Sequence, residues 1–134
     1  MSRRLTTVLR VAGLQQTVAR GAVGAAQAAV RAAEREHTDA RVRLEATALT
    51  GGSVADLLAS GTVVAARAAS VLATERAVTD AETARDEALA RWTELRRRQR
   101  LLEELHARQR AEDDAARERA AQRLADDLSA GRRP

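Results

Sequence analysis

The chain has 134 residues, 45% of them hydrophobic but only 1% aromatic, with a single Trp and neither Phe nor Tyr, so there is little from which to build a layered globular core. No Cys is present, which excludes disulfides, thiolate catalysis and cysteine-bound zinc and is compatible with a reducing compartment. The net charge of +4 rests on arginine alone, because the sequence contains no lysine.

The commonest residues are Ala, Arg and Leu, which lose least on entering a helix, while the one Pro stands at the last position. This composition predicts an all-α chain. The opening "MSRRLTTVL" has the look of a twin-arginine export signal, but Arg10, Gln15, Gln16 and Arg20 interrupt the apolar segment that such a signal keeps. It reads instead as the start of a helix. No run approaches the ~20 consecutive apolar residues of a membrane-spanning helix, so a soluble, cytoplasmic protein is expected.

Helix one is predicted over about residues 5–47. Leu9, Gln16, Val23, Val30, His37 and Leu44 recur every seven residues, and Leu5, Ala12, Ala19, Ala26, Ala33 and Ala40 form the row beside them. Two such rows make a coiled-coil seam in which alanine lets a partner helix approach closely. In "LTGGSVADLLASGTVV" the Gly51-Gly52 pair is suited to closing the helix near Thr47. Ser53 and Asp56 have capping-box spacing for a short helical turn over 54–59, and Ser60-Gly61-Thr62 offers a second start. Helix two is then predicted over about 62–129, with a loop and helical turn over 48–61. Its seam opens on Val64, Ala68, Val71 and Val78 and, after a phase slip near 81–85, continues through Ala88, Trp92, Leu95, Gln99, Leu102 and His106.

At 1.5 Å per residue these helices measure roughly 65 Å and 100 Å. Folded antiparallel about the loop, they predict a two-helix coiled-coil hairpin whose longer second helix projects beyond the first. With residue 47 opposite 62, Leu5 falls opposite about residue 104 and Trp92 opposite about 17. Residues beyond Leu105 form an overhang with charge pairs such as Asp113 with Arg117 and a weak stripe of Leu105, Ala116, Ala120, Leu124 and Leu128.

Charge is unevenly distributed. Residues 1–33 hold five Arg and no acid, and residues 91–111 hold seven Arg against three acids. The hairpin brings these two segments together at its open end, whereas the loop end is mildly acidic. Clustered like charge destabilises an isolated hairpin, so the open end is expected to meet an acidic partner surface.

The residues argue against an enzyme. His37 and His106 fall on or beside the seam without meeting, Glu103-Glu104 and Asp113-Asp114 lie on a helix surface without a concave site, and there is no phosphate-binding glycine loop. No metal ligand set and no cofactor is implied. Nucleic-acid binding is an alternative reading of "ELRRRQR", but Glu94, Glu103 and Glu104 interrupt the patch and Trp92 is the one stacking aromatic. A membrane-surface helix would have Leu5, Val8, Leu9, Val11 and Leu14 as its apolar anchors and no aromatic residue at the interface. A purely structural coiled-coil dimer is a further alternative, although unequal helices and polarised charge favour a two-ended connector.

The basic "RRLTTVLRV", the small-residue loop "TGGSVADLL" after about fifty residues, and "RWTELRRRQRLLEELHARQRAEDDAARERAAQRLADDL" together resemble FliJ, the coiled-coil protein of the flagellar export apparatus. The likeness is strongest at Trp92, Leu95, Leu102, Glu104, Leu105, Arg108, Arg110 and Asp126-Asp127. The resemblance implies a non-enzymatic export component, peripheral to the inner membrane through its partners: the export ATPase FliI, the export-gate protein FlhA and the escort chaperones of flagellar substrates. Carried over by position, the ATPase-binding surface includes Arg3, Arg4, Leu5, Arg10, Arg97, Arg98, Arg100, Leu101 and Arg108. The gate-binding face includes Val63, Val64, Arg67 and Val71, and the chaperone-binding face Arg119, Arg123, Leu124 and Leu128.

Overall fold

A computed structural model describes residues 2–47 and 54–132. Among these residues there are two elements, helix α1 (Ser2–Thr47, 46 residues) and helix α2 (Val54–Ala130, 77 residues), and no strand. They pack against each other as an antiparallel hairpin with the longer second helix continuing past the first. The Gly51-Gly52 pair and Ser53, expected to shape the connection, lie outside the described residues.

Helix α2 begins at Val54, not at Thr62, so the separate helical turn and second start expected over 54–62 are one continuous helix. The physical reason is local. Asp56 lies in the first turn, where the helix dipole favours an acid, Ser60 is half-buried on the seam, and Gly61 keeps negative φ like every other glycine among the described residues. Threonines inside both helices remain compatible with them because their hydroxyls donate to carbonyls one turn back, as Thr7 does to Arg3 and Thr93 to Leu89, both at 2.9 Å.

All twelve residues of the two heptad rows expected in α1 are buried or half-buried. On α2 the seam runs through Val64, Arg67, Val71, Thr74, Val78, Ala81, Arg85, Ala88 and Trp92, then Leu95, Gln99, Leu102 and His106, alternating steps of three and four without interruption. The expected phase slip near 81–85 is therefore absent. Arg85 holds the seam there: its long aliphatic stem covers the seam while its guanidinium reaches outward to Asp86 at 3.1 Å.

Register is set by His37, whose Nδ1 lies 3.1 Å from the Thr74 hydroxyl. Stepping outward from that pair along both seams places Trp92 level with Ala19, Ala88 with Val23, Ala81 with Val30, Val78 with Ala33 and Val71 with Ala40. Small faces large in each layer, which lets the backbones approach evenly. This layering explains the core: among the described residues Ala19, Val23, Val30 and Ala40 are the buried hydrophobic ones, all on α1.

Contacts divide the chain into two units, Thr17–Glu94 and Met1–Gln16 with Leu95–Pro134. The first holds the alanine-lined core. The second holds the chain's most basic segments.

Candidate functional site

The second unit joins the start of α1 to the "RWTELRRRQR" part of α2. Arg3, Arg4 and Arg10 are exposed on α1, and Arg97, Arg98, Arg100 and Arg108 on α2; Leu5 is half-buried on the seam and Leu101 is exposed. Charge at this end is unfavourable for the isolated helix, because the first turn of α1 contains no acid and carries Arg3 and Arg4 against the positive end of its own dipole.

Between the arginines lies an apolar hollow of about 300 Å³, lined on α1 by Thr7, Val8, Val11, Ala12 and Gln15 and on α2 by Leu95, Arg98 and Leu102. A second depression bounded by Arg4, Leu5, Val8 and Gln109 shares Val8 with it. Val8 and Val11 are each 47% exposed and Leu105 48%. The expected set of open-end residues contains neither these valines nor Leu105. Their signal was present in the sequence, as apolar residues that belong to neither heptad row.

The four residues expected to meet the export gate divide differently. Val64, Arg67 and Val71 are half-buried on the seam, which leaves Val63 as the outward-facing member. The exposed apolar residues near it are Leu57, Leu58 and Leu72. On the overhang Arg119, Arg123, Leu124 and Leu128 are all exposed; Arg123 Nε donates to the Arg119 carbonyl at 3.3 Å, and Arg117 pairs with Asp114 at 3.7 Å, one residue along from the expected Asp113.

An 18-residue window of α2 reaches a mean hydropathy of 1.5, the length and composition of a membrane span, although it is not the run of ~20 consecutive apolar residues whose absence the sequence shows. The stretch is rich in Ala and Val but carries Arg67 on the seam with Val64 and Val71. Among the described residues no group of three or more His, Asp or Glu is placed to hold a metal.

The site thus combines long helices, a charged end and an apolar hollow. The model of the flagellar FliJ protein family matches residues 1–132. The chain belongs to the FliJ family. It is thereby a component of flagellar protein export, in a family that is non-catalytic and cytoplasmic. Comparison with curated proteins and with solved structures finds no match.

Proposed function

We propose that this FliJ-family protein acts without catalysis as a connector of the export apparatus, binding the ATPase FliI through its basic end and the escort chaperones through its overhang. The observation that carries this reading is the arginine-flanked hollow formed by Thr7, Val8 and Val11 with Leu95, Arg98 and Leu102. Arg3, Arg4, Arg10, Arg97, Arg98, Arg100 and Arg108 steer an acidic partner surface, while Leu5 and Leu101 with the exposed valines supply apolar contact. Arginine suits this task because its planar guanidinium engages carboxylates in pairs of hydrogen bonds.

Chaperones take Arg119, Arg123, Leu124 and Leu128 on the overhang. FlhA takes the early face of α2 around Val63, with Val64, Arg67 and Val71 acting from the seam beneath it. Association with the inner membrane is peripheral and runs through these partners.

Purified FliI mixed with this protein at low salt should hydrolyse ATP faster and assemble more readily into rings. Reversing Arg97, Arg98 and Arg100 to Glu should weaken that response at least about tenfold. An unchanged hydrolysis rate and unchanged oligomeric state with the wild-type protein would remove the reading.

A further inference from the structure

Within the unit Thr17–Glu94 the seam repeats itself on both helices. On α1 one row holds Ala19, Ala26, Ala33 and Ala40, and on α2 Val64, Val71 and Val78 recur at the same interval of seven. In the observed register Ala40 is level with Val71 and Ala33 with Val78. Moving α1 by one heptad toward the connection sets Ala40 level with Val64, Ala33 with Val71 and Ala26 with Val78, while Val23 exchanges Ala88 for Ala81. Small still faces large in these four layers, and the row that receives Trp92 is alanine at 12 as it is at 19. Packing alone therefore separates the two registers poorly.

Room for such a slide exists in one direction. Stepping ten residues from His37 and from Thr74 brings Thr47, the end of α1, level with Val64, whereas α2 begins at Val54. Residues 54–63 thus stand past the end of α1, with Leu57 63% and Leu58 73% exposed. A slide toward the connection moves α1 onto them and loses no paired layer at that end. The opposite slide is barred: it would set the two helix ends roughly 25 Å apart along the axis, more than the roughly 24 Å that the intervening residues reach when fully extended.

What distinguishes the registers is His37. Its Nδ1 lies 3.1 Å from the Thr74 hydroxyl, whose own proton goes to the Ser70 carbonyl at 2.9 Å, so the imidazole donates and the hydroxyl oxygen accepts. One heptad along, His37 stands level with Arg67, which offers that N–H no acceptor.

We propose that α1 and α2 pair in a second register one heptad toward the connection, and that the His37–Thr74 hydrogen bond is the catch that holds the observed one. Helix α1 is unbroken from Ser2 to Thr47, so the slide carries it bodily by about 10 Å. A partner that grips α1 in one register thereby selects the position of the whole helix.

The chain has no Cys, so introduced cysteine pairs report the register directly. A disulfide needs Cα atoms within about 7 Å, and positions one heptad apart differ by about 10 Å, so each pair reads one register. In dilute full-length protein under mild oxidation, A40C with V71C should close fastest and A40C with V64C more slowly but to completion. A40C with V78C, the position that the connection bars, should stay reduced. H37L and, separately, T74V should each speed closure of the V64C pair about fivefold, the net weight of one hydrogen bond, with circular dichroism checking that the helices are retained. A V64C pair that stays reduced throughout, equal closure of the V64C and V78C pairs, as local unfolding would give, or rates indifferent to both H37L and T74V would each overturn the proposal. None of these results bears on ATP hydrolysis by FliI, which tests the ATPase reading separately.

Discussion

Trp92 shows how one large side chain is accommodated in a core made of alanine. It lies on the seam level with Ala19, which is only 5% exposed, and its indole nitrogen is shut off from solvent. Replacement by Ala should cost about 3 kcal/mol, the low end for a tryptophan because part of the ring stays exposed; thermal unfolding reads this directly. Gly21 and Gly24 are the opposite case. Both stand inside α1 with negative φ and with nothing within 4 Å of an added Cβ, so neither is required by a turn or a close approach. Changing either to Ala should stabilise the protein by about 0.5–1 kcal/mol, seen as a higher midpoint in chemical denaturation.

At the scale of the helices, the seams keep strict alternation even where the residue is polar. Gln16, His37, Thr74, Arg67, Arg85 and Gln99 all occupy seam positions. Such residues bury little apolar area but hold register, as the 3.1 Å contact of His37 with Thr74 does. Under the proposed function, the start of α1 sets stability against recognition. Arg3→Glu with Arg4→Glu removes two cations from the positive end of the helix and should raise stability by about 0.5–1 kcal/mol, while lowering stimulation of FliI. Opposite signs in unfolding and hydrolysis assays are expected. A double variant that lost stability, or left hydrolysis untouched, would contradict the placement of the ATPase contact at this end.

For the molecule as a whole, the difference between 46 and 77 helical residues leaves the end of α2 without a helical partner in α1. The paired part of α2 ends near Gln109, the last seam residue level with α1, and the rest makes no contact on which the hairpin depends. A chain ending at Arg110 should therefore keep its unfolding midpoint within about 2 °C and should lose chaperone binding in a pull-down. Its basic end remains intact, so stimulation of FliI should persist.

Much of this protein was legible in its residues because a coiled coil is a repeating structure: seven-residue rows of Leu, Val and Ala identify the buried face of α1 without reference to any partner. The same holds for the all-helical composition, the unequal lengths and the two basic segments. Only the packed hairpin decided that Arg85 belongs to an unbroken seam, because a long stem that buries while its head stays wet looks in sequence like a break in the pattern. Packing also decided that His37 meets Thr74 and that Val8 and Val11 line a hollow with Leu95 and Leu102. Periodicity records which face of a helix is covered. Which residues stand level across the seam, and which apolar ones are left outside it, depends on the stagger of two helices, a property of the pair that neither helix carries alone.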